Sequence, residues 1–177
     1  MMIVKKRSGV SSFWIWHKGL SSETQSFIHV NTTNAAGANA NAWNNQAPTA
    51  SVFYQKEYIL SNNDTGIAYC FHSVDGHSLV GSYVGNGSTD GVYVHCGFSP
   101  ALIITKSTAG TGWRMIDNKR TPYNPSTASL YPDSSDAEYT GSGHETDFTS
   151  NGFKMRNNNA RLNTNGQTYI FIAFAES

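Results

Sequence analysis

Charge is scarce in this sequence. Asp, Glu, Lys and Arg make up 14% of the 177 residues, against roughly 25% in an average domain, and the 12 acidic and 12 basic side chains cancel. With no basic stripe there is no counterion-release footprint, which argues against double-stranded nucleic acid as a ligand. Long apolar runs are missing as well. Nothing approaches the ~20 residues of a membrane-spanning helix, and the opening "MMIVKKRSG" has neither the apolar stretch nor the small-residue cleavage site of a secretion signal. The expectation is a chain made in the cytoplasm with no membrane partner. Cysteine is limited to Cys70 and Cys96, each inside a strand-like apolar phrase, "IAYCFHS" and "VYVHCGF". Two buried free thiols, with no disulfide and no metal, are expected there.

Helix formers are thin, their place taken by Asn, Ser, Thr and 16 Gly, while aromatic residues reach 12%. This mixture favours pleated surfaces and tight turns over amphipathic helices. Aromatic and β-branched residues recur along the whole chain, so disorder is not indicated. The length fits a single domain, residues 1–177, with a workable core.

Laid over itself with a shift of about 100 residues, the chain repeats. "IVKKRSG" falls on "IITKSTAG", placing Lys6 on Lys106, and "FWIWHK" falls on "WRMIDNK" with a one-residue slip. Further on, Val30 meets Leu130, Phe53 meets Phe153 and Gly66 meets Gly166; the register then slips again, and "CF" meets "AF". One copy spans about residues 3–74 and the other about 103–177, with a connector over 76–100. Each copy reads as a hairpin, a middle strand, an Asn/Ala/Ser-rich loop, a Phe-centred strand and a closing apolar strand. The unbroken apolar character of "IAYCF" and "YIFIAFA" suits strands covered on both faces. The connector adds "SLVGSYVG" and "GVYVHCGF". About a dozen short strands with Gly and Asn turns predict an all-β domain, a β-sandwich or jelly-roll arrangement built from a tandem duplication.

The phrases "GSYVGNGSTDGVYVHCGFSPALIITK", "DFTSNGFKMR" and "NTNGQTYIFIAFAES", with "HVNTTNAA" and "IAYCF", resemble a β-rich module that recurs in virion proteins of tailed bacteriophages, marine and cyanobacterial ones above all. The resemblance covers nearly the whole chain. It implies a non-enzymatic virion structural protein, a tail-fibre or capsid decoration component, with other virion proteins as partners and no catalytic residue to carry over. Such surface proteins assemble as symmetric homo-oligomers, and a trimer is expected. The sequence departs from the pattern at its start: "GFSP" precedes the second copy but not the first. A sheet edge left open beside the first copy would then accept a strand from a neighbouring chain.

A search for chemistry gives little. The six histidines show no HxH, HExxH or Cys-x-x-Cys spacing, and His17, His29 and His72 read as sheet-surface residues. "YPDSSDAE" gathers Asp133, Asp136 and Glu138, yet lacks calcium-loop spacing and reads as a solvated turn. In "GSGHETDF", Ser142, His144, Glu145 and Asp147 are too close in sequence to form a nucleophile, base and orienter. No cofactor and no enzymatic activity are expected. Sugar sites stack a ring on an aromatic face and satisfy hydroxyls with amides. "NAWNNQ" (Trp43, Asn44, Asn45, Gln46) and "TPYNPS" (Tyr123, Asn124) have those parts, so a lectin-like module for host surface glycans is the alternative; for Trp43 the competing expectation is a plug at the sandwich edge.

Overall fold

The computed structural model describes residues 1–176, and among them the chain forms twelve strands and no helix. Ser177, the last residue of the second copy, lies outside the described residues. The first five strands, β1 (Met2–Lys6), β2 (Phe13–Trp16), β3 (Ser26–His29), β4 (Gly37–Ala38) and β5 (Gly66–Cys70), pair antiparallel in the order β4-β3-β2-β1-β5. A second sheet runs β6-β12-β8-β9, from β6 (Ser78–Val84), β8 (Pro100–Ser107), β9 (Arg114–Asp117) and β12 (Thr168–Ala175). The third is small: β10 (Thr146–Thr149), β11 (Gly152–Met155) and β7 (Tyr93–His95), in that order.

The four-stranded sheet is the middle layer, and β12 shows why. Successive side chains of a strand point to opposite faces. Ile170 and Ile172 pack with Ile15 and Ile28 of the first sheet, whereas Tyr169, Phe171 and Ala173 pack with Val94, Phe153 and Met155 of the third. All five of these β12 residues are at most 2% exposed. At roughly 1.5–3 kcal/mol for each large apolar side chain removed from water, this strand is the main apolar tie between layers. Phe171 fits because β6 offers Gly81 opposite it; a Cβ there would stand 2.7 Å from the ring.

The two halves share one pairing scheme. Ile3 of β1 lies between Ile15 of β2 and Tyr69 of β5; Ile104 of β8 lies between Met115 of β9 and Ile172 of β12. The next element follows suit, since Ile15 pairs with Ile28 and Met115 bridges to Leu130. The one-residue slip expected in the hairpin is present in the register. The duplicated faces oppose each other: Ile3 and Ile15 look toward the middle sheet, and Ile104 looks back toward the first. The halves therefore pack face to face across this shared cluster. Polar ties join them: Trp113 Nε1 donates to the His29 carbonyl (2.8 Å), the Ala36 amide to the Thr108 carbonyl (2.9 Å), and the buried Lys106 ammonium to the Thr32 carbonyl.

Other parts of the expected alignment fail. By pairing, Ile28 and not Val30 is the counterpart of Leu130. Phe153 is buried in β11, but Phe53 lies in an irregular, exposed segment and has no strand around it. Gly66 opens β5, whereas Gly166 sits before β12 with φ of 74°. His17 is not a surface histidine either; it is 1% exposed, accepts the Gly19 amide on Nδ1 (2.9 Å) and donates from Nε2 to the Phe171 carbonyl (3.1 Å).

Candidate functional site

The largest departure from the sequence reading is β5. Its counterpart β12 is covered on both faces, but every residue from Gly66 to Cys70 is exposed, with Ile67 at 41% and Tyr69 at 48%. Cys70 is thus an exposed free thiol and not a buried one; Cys96 is half-buried, and burial pushes its thiol up to about 11. The reason is the neighbour. In the second half β6 pairs along the far side of β12, from Thr168 to Phe174, while β5 has β1 on one side only.

The outward groups of β5 can be assigned. Phe71 N–H donates to the Met1 carbonyl and Arg7 N–H to the Thr65 carbonyl, so bonded pairs fall on odd residues of this segment. Antiparallel pairs alternate between bonded and non-bonded. Ile67 and Tyr69 therefore turn their backbone groups to β1, and Gly66, Ala68 and Cys70 turn theirs outward. The strand has no charge, no proline and no bulge, the usual devices that blunt an edge. Past Cys70 the edge opens into a cleft of about 680 Å³ lined by Met2, Trp16, Val52, Phe53 and Phe71. Val52 is 50% exposed and Phe53 36%, so the apolar character of the edge continues off the sheet.

Several other edges carry a local cap, although β4 and β7 also pair on one side only. On β10 the Phe148 amide donates to Asn124 Oδ1 (2.9 Å) and Asn124 Nδ2 donates back to the Phe148 carbonyl (2.7 Å), while Ser126 bridges to Thr146. Beside β6, Ser73 Oγ accepts the Val80 amide and Val74 bridges to Ser78. The bridge at Leu130 covers β9.

The sugar-site candidates separate. Trp43 is 0% exposed and its indole N–H donates to the Ser26 carbonyl (2.8 Å), with Met2, Val4, Phe27 and Ile59 around it. It plugs the outer face of the first sheet, and no ring can stack on it. Asn44 and Asn45 both hold positive φ (54° and 52°), a backbone that amide side chains tolerate. Asn45 Oδ1 accepts from Gln25, and the Gln46 amide donates to the Trp43 carbonyl. These three build the turn that seats Trp43. Asn124 serves as the β10 cap. Only Tyr123 of the six keeps a free face; it is 83% exposed beside a second, polar cleft of about 450 Å³ that also takes in Asn118, Pro122, Lys119 and Glu176. Lys119 and Glu176 pair at 2.6 Å, which holds the Glu176 carboxyl below its usual range.

The "GSGHETDF" set does not converge. Glu145 accepts the Gly143 amide, Asp147 faces Arg156 at 3.5 Å, and the Ser142 carbonyl accepts the Tyr139 hydroxyl. His144 instead turns inward to Ser129, Nδ1 to Oγ at 2.8 Å, with both residues at most 2% exposed. Arg114 Nε donates to its Nε2 (3.5 Å), so the ring proton sits on Nδ1 and is given to Ser129. A histidine that donates to the serine cannot be its base. Burial first, then Arg114 and Arg161, lower its pKa to about 4. In the acidic turn Asp133 accepts the Trp113 amide, Asp136 the Ser134 hydroxyl, and Glu138 pairs with Arg120. No three His, Cys, Asp or Glu side chains gather into a metal set among the described residues.

Comparison with curated proteins finds no match, and comparison with solved structures finds none. A family model does match, over residues 1–177, and it is described as a domain of unknown function. The chain with an open β5 edge belongs to this family, DUF7483.

Proposed function

We propose that the protein is a non-enzymatic structural module that attaches by its sheet edge on the surface of a bacteriophage virion. The observation that supports this reading is β5: an uncharged strand, exposed on both faces, whose outward amides and carbonyls have no partner among the described residues. Edges of this kind are templates for another strand, and main-chain bonds supply affinity while side-chain pockets supply selectivity. The cleft at Met2, Phe53 and Phe71 offers such a pocket. The particle itself comes from the resemblance of the connector and closing phrases to virion modules. The test is a titration of the purified protein onto capsids and tails: saturable binding that a charge at Tyr69 abolishes is expected, and absence of binding to either particle refutes the reading.

A second reading, a lectin-like receptor-binding module, is favoured by one feature, the free face of Tyr123 above a cleft that holds an amide and an ion pair. A glycan array probed with wild type and Tyr123→Ala decides it. Binding lost in the variant supports it, and no bound glycan, or binding indifferent to Tyr123, removes it.

A further inference from the structure

We infer that the partner on the β5 edge is a second copy of this chain, joined β5 to β5 about a two-fold axis through Ala68. The inference rests on the attachment reading above and names its occupant. Antiparallel pairing centred on Ala68 sets Ala68 against Ala68, Gly66 against Cys70, and Ile67 against Tyr69. Because Gly66, Ala68 and Cys70 are the residues whose backbone groups face outward, these are bonded pairs, and the junction gains roughly six inter-strand hydrogen bonds.

The faces agree as well as the edges. Direct antiparallel partners share a face of the sheet, so Gly66, Ala68 and Cys70 lie on the side of Lys6, Val4 and Met2. Here the incoming strand meets the small side chains of Ala68 and Cys70, with Leu60 packed over Gly66. On the opposite face Ile67 and Tyr69, both exposed, meet Tyr69 and Ile67 of the copy. An aromatic against a β-branched residue is a favourable cross-strand pair. There is no charge anywhere from Gly66 to Phe71, so nothing repels at the axis.

The molecule contains its own example of the contact. β6 seats antiparallel against β12 and sets Gly81 and Leu79 opposite Phe171 and Ala173, the counterparts of Ala68 and Cys70. What β6 does for the second half, β5 of a second copy does for the first. A two-fold contact of this kind closes on itself and uses up the β5 edge of both copies. One short strand pair buries less than the ~1,200 Å² of a standard interface, so Val52 and Phe53 in the cleft past Cys70 must contribute and the dimer dissociates on dilution.

The experiment is mass determination by light scattering over a dilution series, with three variants. Tyr69→Lys places a charge at the axis, and Ala68→Pro removes an outward N–H that no internal bond uses. Each is expected to weaken the dimer at least tenfold while melting with the wild type. Ala68→Cys in a Cys70→Ser background brings two thiols together where bonded pairs hold Cα atoms about 5.5 Å apart, inside the range a disulfide spans, and a covalent dimer forms on oxidation. A wild type that is monomeric throughout, a trimer, or a dimer indifferent to Tyr69→Lys and Ala68→Pro overturns the inference. If the wild type is monomeric and Tyr69→Lys still abolishes particle binding, the dimer is refuted and the attachment reading stands. If the β5 dimer forms and no particle binds it, the dimer is upheld and the attachment reading falls.

Discussion

Lowering the pH from 7 to 5 tests how the two halves are held, through His17. Its ring is 1% exposed, between the Gly19 amide and the Phe171 carbonyl of β12, and burial is the main cause that depresses its pKa from 6.5 to about 4. The Phe171 carbonyl pulls the other way, and Lys18 adds to the depression. A histidine with a depressed folded pKa binds its proton in the unfolded chain first. Stability from this group is therefore complete above about 6.5, falls as pH drops below that value, and levels off below about 4. Between pH 7 and 5 the loss works out at about 2 kcal/mol for this one residue. The assay is urea unfolding at both pH values for wild type and His17→Gln, which keeps an amide donor but does not titrate. The wild type is expected to lose about 2 kcal/mol more than the variant over this interval. Parallel pH profiles would refute the reasoning, because they would mean that His17 is solvated in the folded chain.

Trp43→Ala empties the space of a fully buried indole and leaves the Ser26 carbonyl without its donor, so it should cost about 3–5 kcal/mol in denaturant unfolding, with Trp43→Phe recovering part. An unchanged midpoint would contradict the plug. Gly152→Ala sets a Cβ 2.1 Å from the Val94 carbonyl oxygen, a backbone atom, and should lower the melting temperature by opening β7 from β11; a wild-type melt would show that this approach is looser than described. His144→Ala strands the Ser129 hydroxyl and the Arg114 guanidinium in the core, a loss of about 1–3 kcal/mol in thermal or chemical unfolding. Ester-hydrolysing activity in the wild type that disappears in this variant would contradict the structural role.

Strand patterns and the hairpin repeat were legible because they depend on local periodicity. β12 announces itself by an apolar residue at every position after Thr168, and the slip between "FWIWHK" and "WRMIDNK" is the slip in the pairing. "IAYCF" carries the same signal with a different outcome, since whether a strand is central depends on what lies beyond it. The connector supplies β6 to one copy only, and a neighbour's absence leaves no mark in the strand itself. Trp43 was ambiguous for another reason: an aromatic ring beside three amides describes a sugar site and also a turn whose Asn residues hold left-handed backbone. Asn124 illustrates the same limit. Its amide imitates a strand partner for Phe148, a task that requires knowing that β10 is an edge. The Ser129 and His144 contact joins residues outside any common motif, and the loop around Ser142 drew attention instead.

Amide hydrogen exchange along β5 tests the open edge most directly, because its two sets of amides belong to one short strand. In dilute protein Ile67, Tyr69 and Phe71 should be protected by β1 while Ala68 and Cys70 exchange freely, and raising the protein concentration should protect these two as well. Free exchange at Ala68 and Cys70 under all concentrations would contradict self-pairing, and protection of both in dilute monomer would contradict the open edge itself.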